Sequence, residues 1–463
     1  MAHPYMANSV ADTKRDMLAA IGAGSIEELF EQIPAAHRLG RPLRLPPALP
    51  SEASLRRHLL DVLARNRTCE RNLSFLGGGC WQHHVPAVCD EMARRTEWLT
   101  SVFGSPMSDH GRNQAWFEFC SQLGELVGME MVGLPVYSWG CAIGHAVRMA
   151  ARLTGRREML VVRAIAPERM DVLRTYCEPA AMAGHIAVVE LGYEAATGRI
   201  DLADLRAKLS TRTAAVYFEV PSFFGVIEDQ AAAIAALARG VGAETIVGVD
   251  PISLGVLQPP ASYGADIVVG TTQPLGVHMN CGGGVGGFIA TRDEERYARE
   301  YPTLMISIGE TTRSGEVGFG LSLFHQTSYG QRENGKDWTG NSVYMWAVVN
   351  AVYMALLGPR GFAELGELIV QRAHYAARLI GAIPGVRIVF PGGFFKEFVV
   401  DFTGTGRTVR GINAALRERG IFGGGDISAF PELGQAALYC VTEMHEDGDI
   451  ERLAADLREI VAP

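Results

Sequence analysis

The sequence predicts an α/β protein with a largely parallel β-sheet, and three observations support this class. Short apolar segments rich in β-branched residues recur between residues 160 and 290. They lack the alternation of apolar and polar residues that a sheet with one solvent face would show. Helical patterns separate the segments, as expected when helices cover both faces of a sheet.

Residues 1–75 are predicted to form an N-terminal helical arm. Ser25 followed three residues later by Glu28 is typical of a helix start in which the two residues cap each other. A proline-rich link, Pro42 to Pro50, precedes a second helix that begins near Ser51. The pattern therefore predicts helices ahead of the sheet-containing domain.

Residues 76–340 are predicted to form the large domain with the sheet. Its six predicted buried strands are Leu160–Val162, Ile186–Val189, Ala214–Phe218, Ile246–Val249, Ile267–Val269 and Gly287–Ala290. Helices are predicted between them, for example over Pro167–Ala183 and Gln230–Gly240. In such folds ligands bind at the carboxyl ends of the strands.

Residues 341–463 are predicted to form a small α+β domain. A Gly-Pro-Arg-Gly turn separates two helices, Ser342–Leu357 and Phe362–Ile383. The later predicted elements are strands Val386–Phe390 and Glu397–Phe402 and helices Thr408–Gly420 and Asp447–Ile460.

Composition argues against several classes of function. The chain has 463 residues, a net charge of −9 and no block of Lys or Arg, so no nucleic-acid partner is expected. No apolar leader and no run of about 20 apolar residues occurs, so neither secretion nor a membrane span is expected. The eight cysteines form no C-x-x-C pair and no zinc-binding pattern with histidine. We therefore expect reduced thiols, no metal site and a cytoplasmic protein.

Asp250 is the strongest candidate for a binding residue. It directly follows a predicted buried strand, at the rim of a parallel sheet. In enzymes that use pyridoxal phosphate, an aspartate in such a place pairs with the pyridinium nitrogen and makes the ring an electron sink. Alternatively, the Asp250 side chain caps the turn that follows it. The sequence leaves both roles open.

The lysine that such an enzyme needs for a Schiff base is absent downstream of Asp250. Residues 264–276 contain no lysine, and the amide nitrogen of Gln273 is not a usable nucleophile. The four lysines lie elsewhere: Lys14 in the arm, Lys208 on a charged helix, Lys336 in a polar loop and Lys396 in the small domain. No catalytic residue is therefore predicted on this chain.

Other candidate residues lie in loops. Gly283 belongs to a glycine-rich run whose backbone N–H groups could hold a phosphate or carboxylate, although a tight turn before a strand is the simpler explanation. His83 and His84 are adjacent and cannot face the same way on a strand, so a shared metal is not favoured. Each is a candidate acid–base or hydrogen-bonding residue, with a structural loop histidine as the alternative. Tyr137 and His278 are the remaining candidate residues for a cofactor or substrate site.

Several segments together resemble the alpha subunit of glycine dehydrogenase (decarboxylating), the glycine-cleavage P protein in its two-chain form. They are Phe75–Pro86, Asp250–Pro260, Tyr263–Gly270, Gln273–Gly276, Ala355–Gly361, Phe394–Phe398 and Thr442–Glu446. They span nearly the whole chain in order. The lysine-free segment that begins at Gln273 indicates the alpha rather than the beta subunit.

The resemblance implies an aspartate-aminotransferase-like fold, the fold type I of pyridoxal-phosphate enzymes. It also implies a heterotetramer in which a homologous beta subunit carries the lysine and the pyridoxal phosphate. In that family glycine is decarboxylated and its aminomethyl group passes to a lipoyl carrier protein. Asp250 and Gln273 would match the pyridine-facing aspartate and the lysine of catalytic relatives, and His83 and His84 would lie near the shared active site.

Three segments depart from the family pattern, residues 100–112, 136–141 and 326–341. Contacts with substrate, partner or carrier are expected there. Two alternatives therefore stay open. The chain could act with its own partner on another amino acid or amine, or it could be a non-catalytic scaffold or regulator of the same fold.

Overall fold

A computed structural model describes residues 2–98, 106–279, 286–336 and 343–462. The chain forms two compact units, Met1–Arg67 and Thr68–Pro463. The division into three domains at residues 75 and 340 stays a prediction. Within the described ranges, no helix has the length and apolar character needed to cross a membrane.

The first unit contains two α-helices, α1 (Ala11–Ala20) and α2 (Glu52–Leu63). The start of α2 confirms the predicted helix near Ser51. The Ser51 hydroxyl accepts a hydrogen bond from the Ser54 N–H at 3.1 Å, and the Ser54 side chain accepts from the Ser51 N–H.

The helix predicted at Ser25 is only a short 3₁₀ turn, Glu27–Phe30. The Glu28 N–H donates to Ser25 Oγ at 3.4 Å, but the residue that directly precedes the turn is Ile26, which provides no side-chain cap. No described residue of the first unit is buried. Short helices are marginal in water without tertiary packing, which explains why the capping signal yields a single turn.

The first unit exposes many large apolar side chains. Tyr5 is 92% exposed, Leu45 73% and Ile21 63%. Burying a leucine or isoleucine side chain contributes about 1.5–3 kcal/mol. Any surface that covers this unit would therefore stabilise it.

The second unit contains the remaining elements. Its helices are α3 (Ala87–Ala93), α4 (Pro106–Val127), α5 (Trp139–Thr154), α6 (Pro167–Cys177), α7 (Leu202–Lys208), α8 (Ala231–Gly240), α9 (Glu295–Ala298), α10 (Ser328–Gln331), α11 (Tyr344–Gly381), α12 (Val409–Glu418) and α13 (Asp447–Val461). Its strands are β1 (Leu73–Ser74), β2 (Met131–Val132), β3 (Glu158–Val162), β4 (Ala187–Leu191), β5 (Thr213–Val220), β6 (Glu244–Val249), β7 (Ile267–Thr271), β8 (Gly287–Thr291), β9 (Met305–Glu310), β10 (Val317–Ser322), β11 (Arg387–Ile388), β12 (Glu397–Asp401), β13 (Ile421–Phe422), β14 (Gly425–Asp426) and β15 (Ala436–Cys440).

The large sheet has seven strands in the order β2-β8-β7-β6-β5-β3-β4. All six predicted strands are confirmed as β3 to β8. The pairs from β4 to β7 are parallel, whereas β8 runs antiparallel to both β7 and β2. Every residue of β5, β6 and β7 is buried, as expected for strands covered on both faces.

A second, antiparallel sheet has the order β11-β12-β15-β14 and lies near the end of the chain. Two smaller pairs are the parallel β1–β13 and the antiparallel β9–β10. The β9–β10 hairpin was not predicted, because its glycines and exposed residues weaken the strand pattern.

Two predicted helices differ in detail from the structure. Helix α6 ends at Cys177 rather than at Ala183, because Pro179 follows and disfavours a helical residue before it. The two helices predicted around the Gly-Pro-Arg-Gly turn form α11, which is interrupted at Gly358, where φ is 58°.

Candidate functional site

Strand β6 places Asp250 at the carboxyl-terminal edge of the large sheet, where its side chain is buried. Asp250 Oδ1 accepts a hydrogen bond from the Ile252 N–H at 3.1 Å and caps the 3₁₀ turn Pro251–Gly255. Asp250 Oδ2 lies 2.7 Å from Lys396 Nζ. The carboxylate therefore caps a turn, one of the two roles that the sequence left open, and also forms an ion pair.

Lys396, which has no role in the sequence-based prediction, lies at the centre of a buried cluster. Its side chain is 2% exposed. Besides Asp250, its Nζ lies 2.9 Å from His83 Nε2 and 3.4 Å from the centroid of a Trp81 ring. A buried ammonium group requires such partners, because leaving a charge unpaired away from water is costly.

His83 links Lys396 to Glu443. His83 Nδ1 lies 2.8 Å from Glu443 Oε2. His83 therefore bridges the lysine and the carboxylate through its two ring nitrogens. Glu443 Oε1 also accepts from the His84 backbone N–H at 2.6 Å. Glu443, His83, Lys396 and Asp250 thus form one continuous row, which is buried except at its partly exposed Glu443 end.

The ionisation of Glu443, at one end of this row, makes the stability of the folded protein depend on pH. Burial alone would raise the pKa of the Glu443 carboxyl, but the His83 ring and the His84 N–H lower it from 4.5 to about 2. A lowered folded-state pKa stabilises the protein above the unfolded pKa, and this contribution is lost as the pH falls from about 4.5 towards about 2.

We expect Glu443→Gln to remove this contribution, which is of order 3 kcal/mol. The free energy of unfolding, measured by urea denaturation at a series of pH values below about 6, should fall less steeply in the variant than in the wild type. Parallel curves would show that Glu443 does not carry the acid sensitivity.

Gln273 is buried in the turn after β7 and binds the backbone of Trp81. Its Oε1 accepts from the Trp81 N–H at 3.1 Å, and its Nε2 donates to the carbonyls of Trp81 and Val277 at 3.0 and 3.1 Å. Asn350 of α11 donates to two further carbonyls of the same turn. The carboxamide uses an acceptor and two donors, a combination that an ammonium group cannot provide.

A second buried ion pair joins Arg169 of α6 to Glu219 of β5. Two N–H groups of Arg169 donate to the two Glu219 oxygens at 3.0 and 2.9 Å. The Tyr217 hydroxyl donates to Glu219 Oε1 at 2.7 Å, and the guanidinium carbon lies 4.2 Å from the centroid of a Trp139 ring. Bidentate pairing and a cation–π contact hold Arg169 rigidly.

The glycine run before Trp81 allows the loop to approach the side chains of Glu397 and Arg169. A Cβ atom on Gly77 would overlap the Glu397 carboxyl group, and one on Gly79 would overlap the Arg169 guanidinium group. The Gly78 N–H donates to Glu397 Oε1 at 2.6 Å. Burial raises the pKa of that Glu397 carboxyl.

Little space remains between the two ion pairs. The cavity lined by Trp81, Trp139, Asp250 and Lys396 has a volume of about 10 Å³, roughly what one water molecule requires. A larger cavity of about 400 Å³ shares Trp139 and Arg169 with it and is bordered by residues 77–80, the starts of α5 and α6, and residues 425–430.

The structure does not bring the other sequence-based candidates into this row. The His84 side chain is exposed, and only its backbone takes part. The His278 side chain is 62% exposed, with Nε2 2.9 Å from Asp90 Oδ1, and Tyr137 is 43% exposed. Gly283 lies outside the described residues. Among the residues that the structure describes, no group of three His, Cys, Asp or Glu could hold a metal ion.

Lys396 and Glu443 were missed, but the sequence contains a signal for the first. Lys396 and Glu397 stand in an apolar strand pattern between Phe395 and Phe398. Neighbouring residues of a strand point to opposite faces, so two buried charged side chains would each need a separate partner. The structure provides those partners, Asp250 and His83 for the lysine and the glycine loop for the glutamate.

Comparisons with known proteins agree with this fold. The family model described as "Glycine cleavage system P-protein" matches residues 3–454. A probable glycine dehydrogenase (decarboxylating) subunit 1 of Desulfitobacterium hafniense is 36% identical over 98% of this chain and 99% of its own length. The corresponding protein of Staphylothermus marinus is also 36% identical, over 99% and 98%.

A solved structure is also similar over the full chain. The crystal structure of an inhibitor-bound glycine decarboxylase (P-protein) of the glycine cleavage system matches with a TM-score of 0.86 and 33% identity. The match covers 99% of this chain and all of that one. The fold is that of the fold type I pyridoxal-phosphate enzymes.

Proposed function

Since the chain belongs to the glycine cleavage system P-protein family, we propose that it is subunit 1 of a decarboxylating glycine dehydrogenase and is inactive alone. In this proposal a homologous second subunit supplies the Schiff-base lysine and holds pyridoxal phosphate. Glycine is decarboxylated in the assembled enzyme, and its aminomethyl group passes to a lipoyl carrier protein.

The observation that carries the proposal is the bonding of Gln273. It stands where the resemblance expects the lysine of catalytic relatives, and its amide group cannot form an imine. Its carboxamide is already bonded to the backbone of Trp81 and to Val277. The side chain therefore fastens the Trp81 loop to the sheet, which is a structural rather than a chemical task.

The exposed first unit supports the need for a partner. None of its described residues is buried, although it carries large apolar side chains such as Leu45 and Leu63. Exposed apolar patches of this kind mark sites of protein–protein contact. The relatives' name, subunit 1, also implies a second subunit.

The proposal is tested by making the chain alone and together with the lysine-bearing P-protein homologue from the same genome. Exchange of labelled carbon dioxide into glycine, with carrier protein and pyridoxal phosphate present, should occur only with the pair. After borohydride reduction, the lysyl adduct should be on the partner. Turnover and a lysyl adduct with the isolated chain would overturn the proposal.

Lys336 provides a matched control, because a loop lysine could in principle serve a neighbouring subunit. Its Nζ lies 2.8 Å from Glu300 Oε2, which also binds Arg152. Lys336→Ala should therefore leave the visible absorption of the assembled enzyme unchanged. Loss of the absorption band in this variant would assign the Schiff base to Lys336 instead.

A further inference from the structure

We propose that Lys396 is a resident cation that occupies the place of a cofactor ring beside Asp250, so that pyridoxal phosphate is excluded from this site even without a covalent bond. The inference rests on the proposed function in one respect, since the match of Asp250 to the pyridine-facing position comes from the family. It goes further because the absence of a lysine at position 273 excludes only a covalent link.

The first argument concerns charge. A pyridinium nitrogen and an ammonium group are both cationic N–H donors, and both bind a carboxylate oxygen at about 2.7–2.9 Å. Lys396 Nζ already forms an ion pair with Asp250 Oδ2 at 2.7 Å, a contact between charges rather than a directed hydrogen bond, and Oδ1 is used by the Ile252 N–H. A cofactor ring would have to displace the ammonium group from Asp250.

The second argument concerns space. The cavity that remains between Asp250, Lys396, Trp81 and Trp139 is about 10 Å³, and a single water molecule needs roughly that much. An aromatic ring does not fit. The Trp81 ring, whose centroid lies 3.4 Å from Lys396 Nζ, covers the ammonium group from another side. The residues present therefore do not fit pyridoxal phosphate in this site.

The third argument concerns the rigidity of Lys396. Its carbonyl accepts from the Val441 N–H at 2.9 Å within the small sheet. On the large-sheet side, the Ile227 N–H donates to the Gly393 carbonyl at 2.9 Å. Gly225 lies so close to the backbone of Glu397 that a Cβ atom would overlap its carbonyl. Moving the backbone of Lys396 away from Asp250 would break these contacts on both sides.

The test uses pyridoxine 5′-phosphate, which has an alcohol in place of the aldehyde and therefore binds without forming an imine with any lysine. Equilibrium dialysis and calorimetry would be run on the full-length wild type, Lys396→Ala, Lys396→Met and Lys396→Ala/Asp250→Asn. Lys208→Ala removes a lysine from the Lys208–Asp204 ion pair on helix α7 and is the matched control.

We expect no saturable binding to the wild type, Lys208→Ala or Lys396→Met, in which the methionine keeps the space filled. Lys396→Ala should gain saturable binding, with an affinity at least about tenfold above that of the wild type, and the added Asp250→Asn should abolish it. Saturable binding to the wild type, or none to a folded Lys396→Ala, would overturn the proposal.

The binding measurement on the wild type still tests the proposal even if Lys396→Ala does not fold. The experiment contains no partner and no turnover, so its failure would leave the partner requirement of the proposed function untouched. Conversely, turnover by the isolated chain would overturn the proposed function without deciding whether Lys396 fills this site.

Discussion

Lys396→Met should lower the free energy of unfolding by about 3–5 kcal/mol, because it removes one partner of a buried ion pair and leaves Asp250 charged and unpaired. The Asp250 side chain is 5% exposed, so water cannot replace the lost ammonium group. Urea denaturation near neutral pH measures the change. A loss below about 1 kcal/mol, typical of a surface ion pair, would contradict the burial of this pair.

Two further variants separate the contribution of charge to the loss of stability from the contribution of packing. Lys396→Met/Asp250→Asn removes both charges and should recover most of the loss, since replacing a whole buried pair is often close to neutral. Lys208→Met breaks the Lys208–Asp204 pair, whose side chains are 36% and 25% exposed, and should cost at most about 1 kcal/mol. A double variant no more stable than Lys396→Met would indicate lost packing instead.

Gly225→Ala should destabilise the protein by about 2–5 kcal/mol. Gly225 has φ of 81°, and an L side chain in this conformation costs about 1–2 kcal/mol. Its new Cβ atom would also overlap the carbonyl of Glu397, which is backbone and cannot rotate away. Overpacking of this kind adds about 1–3 kcal/mol. Thermal and urea unfolding of the variant measure the sum.

Gly406→Ala is the matched control for the steric part of this effect. Gly406 has φ of 71°, but nothing lies within 4 Å of an added Cβ atom. It should lose only the conformational contribution of about 1–2 kcal/mol. Equal losses at the two positions would mean that the loop at Gly225 moves aside and that the close approach to strand β12 is not required.

The large sheet could be predicted because its strands are buried on both faces. Segments such as Ala214–Phe218 and Ile246–Val249 are apolar throughout, which distinguishes them from amphipathic helices and hairpins. The hairpin β9–β10 could not be predicted in the same way. Its glycines and exposed residues weaken the strand pattern.

Asp250 and Gln273 could be identified as candidates because each follows a predicted buried strand, and ligands bind at the carboxyl ends of such strands. Lys396 and Glu443 could not be connected to them by spacing, since 145 residues lie between Asp250 and Lys396. The packing of the second sheet, β11-β12-β15-β14, against the large sheet brings the side chains of Glu443, His83, Lys396 and Asp250 together. A charged residue inside an apolar strand indicates that a buried partner exists, but not which one.

The bonding of Gln273 limits which side chains this position can accept. A lysine at this position would leave the Trp81 N–H without its acceptor, because an ammonium group accepts no hydrogen bond. Asp250 would still be paired with Lys396. A single Gln273→Lys replacement would therefore loosen the Trp81 loop without freeing the Asp250 carboxylate.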